Sequence, residues 1–237
     1  MTDEEARAIQ ESAKAVQQVA RTTEKALELA EKAGPFLQRT FGPLLENAVG
    51  VVTARLKFYR LTQFYELKDK TEKRLAELGV NNPRLVPPRL GLPLLEAATL
   101  EDREELHDLW ARLLATAMDP AVPQIKRSFV SIVEELEPND VKMLSILHSA
   151  TFDDAAPTGA LFRTSQGFLN YQISALAEHV DMTEEECELS LWSLERLGCL
   201  YAQFQLSSRS NDSYPPPERV HLRITSLGMA LVEACIK

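Results

Sequence analysis

Nucleophilic or metal-assisted chemistry in this chain would have to come from four histidines, His107, His148, His179 and His221, and three cysteines, Cys187, Cys199 and Cys235. No two histidines stand at i, i+3 or i, i+4, the spacings that bring imidazoles together on one helix face, and His-Glu-x-x-His is absent. The cysteines are odd in number and lack Cys-x-x-Cys pairing, so reduced, buried thiols are expected rather than a disulfide scaffold or a zinc site. The glycine patterns that cradle phosphates are missing, as is the Gly-x-Ser-x-Gly elbow. An acidic cluster with histidine is formed by Glu101, Asp102, Glu104 and Glu105 with His107 and Asp108. It falls at an expected helix N-terminus, where the helix dipole and solvation account for carboxylates without catalysis. No catalytic residue, cofactor site or metal site is therefore expected, and the protein reads as non-enzymatic.

Binding is the remaining class of function. Across 237 residues, 26 Lys and Arg stand against 35 Asp and Glu, a net charge of −9, the wrong sign for a protein that coats phosphate backbones. One stretch departs from this balance. Residues 55–74 hold seven basic and three acidic side chains, interleaved with Phe58, Tyr59, Phe64 and Tyr65. Arg55, Lys57, Arg60, Lys68 and Lys70 are the partner-binding candidates, set against the plainer reading of a solvated helix face with core aromatics.

The elements that would position these residues are mostly helical. Thr2 and Glu5 have capping-box spacing and Gly34-Pro35 is a stop, so a helix is expected over 3–33, with Ala6, Ala13, Ala20 and Leu27 on a narrow heptad-like seam. Such a seam buries little alone and calls for a second helix, of this chain or of another copy. A second long helix is expected from Pro43 to a stop at Gly79. Pro83, Pro87, Pro88 and Pro93 with Gly91 mark 81–93 as a loop that no helix crosses. Thr99 with Asp102 should cap a helix carrying Leu106, Leu109, Trp110, Leu113, Leu114 and Ala117 on one face. Ile125, Phe129, Ile132 and Leu136 mark the next helix, and Pro138 begins a third with Val141, Leu144 and Leu147.

From 150 to about 166 a loop is expected, and then the pattern changes. Ile173, Leu176, Ala177 and Val180 share one helix face; Asp181-Met182-Thr183 makes a turn; Leu189, Trp192 (or Leu191), Leu194 and Leu197 mark a second helix ending at Gly198. Strands follow around 199–206 and 220–224, then a last helix around 227–236. Helix, turn, helix and hairpin is a winged-helix-like order. Its second helix, the one that enters the major groove in DNA-binding versions, begins Thr183-Glu184-Glu185-Glu186-Cys187-Glu188, and residues 160–237 hold six basic and ten acidic side chains. Phosphate would be repelled there, so a protein partner or a structural role is expected instead.

The first residues are acidic and lack an apolar core for export. The least polar stretch, 34–54, carries Arg39, Glu46 and two prolines, short of a spanning helix. A cytoplasmic protein without a transmembrane segment is expected, peripheral membrane contact through 34–54 being the alternative. The expected architecture is mostly α: a long helical hairpin over 1–80, a central helical bundle over 81–150, and a winged-helix-like domain with a small β-hairpin over 151–237.

The block Pro93-Leu94-Leu95-Glu96-Ala97-Ala98, running into residues 106–119 with Leu109, Trp110, Leu113 and Leu114, resembles the Abi-alpha family of bacterial abortive-infection proteins. Residues 129–136, then Glu137-Pro138-Asn139-Asp140-Val141 and 144–147, resemble the family's continuation, and the likeness extends over about 35–235. The resemblance implies a phage-defence role and brings no catalytic residue with it. A protein acting through protein contacts or self-association is then expected. The alternatives are a nucleic-acid-binding regulator, through the winged helix or the basic 55–74 face, and a membrane-perturbing effector through 34–54.

Overall fold

The structure is a computed structural model and describes residues 35–40, 58–152, 160–163, 169–206 and 217–236. The expected helix over 3–33 lies outside these residues, as does most of 34–54. Among the described residues the fold is mostly helical with one small antiparallel sheet. The chain groups into two compact units, one formed by 1–102 with 117–124 and the other by 103–116 with 125–237. Both units are discontinuous in sequence, whereas the expected boundaries near 80 and 150 are cuts at single points.

In the first unit, α1 (Phe58–Glu77) turns Phe64, Leu67, Thr71 and Leu75 inward at helical spacing. Phe64 meets Phe36 edge to face at 5.9 Å; Phe36, Leu37 and Thr40 are the buried side of the helical residues 35–40. The helix α1 stops at Gly79, whose N–H bonds to the Ala76 carbonyl while that of Val80 bonds to Leu75. The proline-rich stretch is not all loop: α2 (Pro88–Ala98) starts inside it and contains Pro93. Pro88 sits in the first turn, where no N–H is needed, and burial of Leu90, Leu94, Leu95 and Ala98 offsets the one bond that Pro93 cannot donate. Thr99 ends α2 rather than starting the next helix, its hydroxyl donating to the Leu95 carbonyl at 2.8 Å.

The helix α3 (Glu104–Met118) carries Leu106, Leu109, Trp110, Leu113 and Leu114 buried, as the periodicity predicts. Within the first unit, Arg84 Nε closes its last turn with a 2.8 Å bond to the Ala117 carbonyl. In the second unit, α4 (Ser128–Glu135) buries Phe129 and Ile132, while Ile125 precedes the helix. Then α5 (Pro138–Phe152) buries Met143, Leu144 and Leu147.

Two strands that the sequence pattern did not reveal follow, β1 (Ala160–Arg163) and β2 (Leu169–Gln172), ahead of α6 (Ile173–Val180) and α7 (Glu184–Arg196). The chain continues through β3 (Leu200–Leu206), β4 (Pro217–Ile224) and α8 (Ser226–Cys235). The expected two-stranded hairpin is thus part of a four-stranded antiparallel sheet ordered β1-β2-β4-β3. Leu169 pairs with Leu222 and Ala202 with Leu222, Tyr171 with Val220, and Leu200 with Ile224, so one face is apolar and packs against α5, α6 and α7. The other face carries Tyr201, Gln203, Arg219 and Arg223, all exposed.

The last helix is tied to α3 by two side chains. Thr116 Oγ1 donates to the Ala234 carbonyl at 2.7 Å and Arg112 donates to that of Ile236 at 2.8 Å, satisfying C-terminal carbonyls that α8 leaves without helical partners.

Candidate interaction surface

The helix α7, which follows α6 across a short turn, is fixed at both ends. The preceding helix closes on Asp181 in the left-handed region, φ 56°, which reverses the chain into Thr183. Thr183 then forms a capping box: the Glu186 N–H donates to Thr183 Oγ1 at 3.2 Å, and the Thr183 N–H donates to Glu186 Oε2 at 2.8 Å. The Thr183 N–H, and then the Thr183 hydroxyl at 2.9 Å, donate to the ionised Glu186 carboxyl and hold it below its ordinary range. At the far end Gly198 takes φ 72°, a conformation that a side chain would strain, and Cys199 N–H closes the turn on the Leu194 carbonyl.

The face that α7 buries consists of Cys187, Ser190, Leu191 and Leu194. Of the two alternatives for the apolar stripe, Leu191 is therefore the core residue and Trp192 is not; Leu189, expected on the same stripe, also points to solvent. Beneath α7, Asp140 is 2% exposed and accepts bonds from the Glu137 N–H at 3.0 Å and from Ser193 Oγ at 3.2 Å, with Ser190 as a further donor. Burial nevertheless raises the Asp140 carboxyl above its ordinary range.

What α7 exposes is chemically uncommon for a solvated helix. Leu189 and Trp192 are 63% and 53% exposed, one turn apart, and Trp192 stacks on Phe204 of β3 at 4.4 Å with the rings 22° apart. Glu195 Oε1 accepts the Ala202 N–H at 3.2 Å, which fixes β3 against α7 and so holds this stack in place. Glu184, Glu185 and Glu188 border the apolar pair. Desolvation and then repulsion from Glu184 and Glu185 push the Glu188 carboxyl up, so a cation would be stabilised beside it. An exposed tryptophan and leucine inside an acidic rim suit an apolar anchor with complementary charge, and oppose phosphate.

The basic candidates are arranged differently. Arg55 and Lys57 lie outside the described residues. On α1, Arg60 is half-buried, and Lys68 bonds Glu72 at 2.9 Å and Asp69 at 3.1 Å, contacts that raise its pKa against the opposing effect of burial. Lys70 is half-buried and also engaged. Arg39 and Arg74 pair with Glu72 and Glu77. The positive charge of this helix is therefore largely answered by its own neighbours, and its surface pairs are each worth no more than about 1 kcal/mol.

The histidines are dispersed over α3, α5, α6 and β4, with His107 and His148 buried and His221 Nε2 2.9 Å from Gln205 Nε2. Among the described residues no group of three or more His, Cys, Asp or Glu is placed to hold a metal ion. All three cysteines are free thiols in the interior; burial pushes Cys187 and Cys235 up to about 12 and Cys199 to about 11. In the native protein at neutral pH they are expected to resist N-ethylmaleimide over a period in which the urea-unfolded chain takes up three adducts. A native adduct on Cys187, read by mass spectrometry, would contradict this burial.

No helix among the described residues is long and apolar enough to cross a membrane. No curated protein and no solved structure matches the chain. The family described as Abortive infection alpha matches over residues 62–235, a span that runs from the basic helix α1 through the buried Trp110 helix to the last residue of α8. By that match over most of its length, the chain belongs to the Abortive infection alpha family.

Proposed function

We propose that this protein is a cytoplasmic phage-defence protein that acts by protein contact, without catalysis of its own, through a winged-helix module whose second helix serves as a docking face. The observation that carries this reading is the exposed Leu189 and Trp192 pair on α7, held by the Phe204 stack inside a rim of glutamates. The order of α5, β2, α6, α7, β3 and β4, with β2 pairing β4 and β4 pairing β3, supports the module. The family name supports the defence role. The acidic rim disfavours nucleic acid at α7, and the internal pairing of Lys68 disfavours it at α1.

Expression of the intact chain in bacteria is expected to reduce phage plating while infected cells die at high multiplicity. The double substitution Leu189→Ser with Trp192→Ser is expected to remove that protection while leaving far-ultraviolet circular dichroism and expression level unchanged, since both side chains face solvent. Full protection by the double variant would refute docking at this face. Protection that also survives deletion of residues 1–33 would remove self-association through the N-terminal seam.

A further inference from the structure

We infer that the face of α7 around Leu189 and Trp192 accepts a basic amphipathic segment of another protein, with an apolar side chain seated against Trp192 and flanking lysines or arginines facing Glu184, Glu185 and Glu188. The inference rests on the contact reading above and names the chemistry of the partner.

Three features of the surface select this occupant over others. The apolar part is small, an exposed leucine and an indole whose position the Phe204 stack fixes, so it fits one or two anchoring side chains rather than a broad apolar sheet. The rim is all of one sign, and no lysine or arginine is bonded to Glu184, Glu185 or Glu188 among the described contacts. Arg196, the nearest cation along the helix, is held by Glu135 at 2.7 Å. Burial, and then repulsion from Glu184 and Glu185, already disfavours the charge on Glu188, so a cationic partner beside it gains by relieving that repulsion. A two-fold pairing of this face with itself would bring both acidic rims together, and duplex DNA or an anionic lipid surface would meet the same repulsion.

The protein carries its own reporter. Its two tryptophans are Trp110, 1% exposed, and Trp192, so iodide or acrylamide quenching in the full-length chain reads Trp192. The probes are two synthetic amphipathic helical peptides with the same leucine face, one flanked by lysine and arginine and one with each of these replaced by glutamate. The basic peptide is expected to protect Trp192 from quenching, the acidic one to leave it accessible. Glu185→Lys with Glu188→Lys is expected to weaken the basic peptide about tenfold or more and to reverse the preference.

Equal protection by both peptides, or by neither, would overturn the inference. Protection without any peptide, rising with protein concentration and accompanied by dimers in sedimentation velocity, would overturn it in favour of a second copy; protection by duplex DNA would overturn it in favour of nucleic acid. Phage plating separates this failure from that of the functional reading. If neither peptide protects while Leu189→Ser with Trp192→Ser abolishes defence, contact through α7 stands and the basic partner falls. If the double variant defends fully, the functional reading falls whatever the peptides do.

Discussion

Replacing Gly228 with alanine is expected to destabilise the second unit by about 3 kcal/mol or more, although the same exchange in an ordinary helix gains about 1 kcal/mol. Gly228 lies in the first turn of α8, and a Cβ there would stand 2.0 Å from the Cys199 carbonyl oxygen and 2.8 Å from its carbon. These are backbone atoms that cannot rotate away. The same carbonyl accepts the Thr225 N–H at 3.0 Å and the Thr225 hydroxyl at 3.1 Å, while that hydroxyl accepts the Gly228 N–H at 3.0 Å as the cap of α8. Retreat of the helix would therefore break its own cap. Both tryptophans belong to this unit, so urea unfolding followed by their fluorescence measures the loss directly. Ser226→Ala, an exposed change two residues away, is expected to stay within about 0.5 kcal/mol. A Gly228→Ala protein as stable as the parent would mean that α8 does not approach Cys199 this closely.

The second large effect is expected at Asp140, where a buried carboxylate joins the start of α5 to the underside of α7. Asp140→Ala leaves the Glu137 N–H and the hydroxyls of Ser190 and Ser193 without this acceptor, at a cost of about 2 kcal/mol. Asp140→Asn keeps an acceptor of the same shape and is expected to change stability by less than about 1 kcal/mol at neutral pH. The pair also differs in its response to pH. Desolvation raises the folded-state pKa of Asp140 above its unfolded value, so in the interval between the two the native protein binds the proton more tightly than the unfolded chain. This contribution to stability is full below the unfolded value and is lost as pH rises through the folded one. Urea midpoints across the weakly acidic range should fall with rising pH for the parent relative to Asp140→Asn. A parent curve that rises relative to Asp140→Asn would place the pKa shift in the opposite direction.

The helices that bury a broad apolar stripe were legible from residue order alone. The Trp110 helix, the turn at Asp181-Met182-Thr183 and the stops at Gly79 and Gly198 all follow from periodicity and end residues, because local chemistry decides them. Misreadings arose where tertiary packing outweighed a local signal. Pro93 argues against a helix, but the buried side of α2 outweighs one missing bond. Thr99 reads equally well as the start of one helix or the end of another, and only its hydroxyl bond to Leu95 decides. The strands β1 and β2 are four residues each, too short to show alternation, and they exist through their pairing. The candidate surface was concealed by its own composition: Leu189 and Trp192 look like core residues, and their exposure depends on the helix phase that Cys187, Leu191 and Leu194 set. The basic residues of α1 were legible as charge, whereas their neutralisation by Glu72 and Asp69 belongs to the folded state.

The bonds from Thr116 and Arg112 to the last carbonyls of α8 join residues 118 and 124 positions apart. During synthesis the two donors leave the ribosome long before the acceptors exist. The helix containing Trp110 must therefore wait, with its donors solvated, until α8 has been made and has emerged. A nascent chain stalled before residue 226 would thus lack α8, and closure of this unit is a late step in which its earliest helix receives one made more than a hundred residues afterwards.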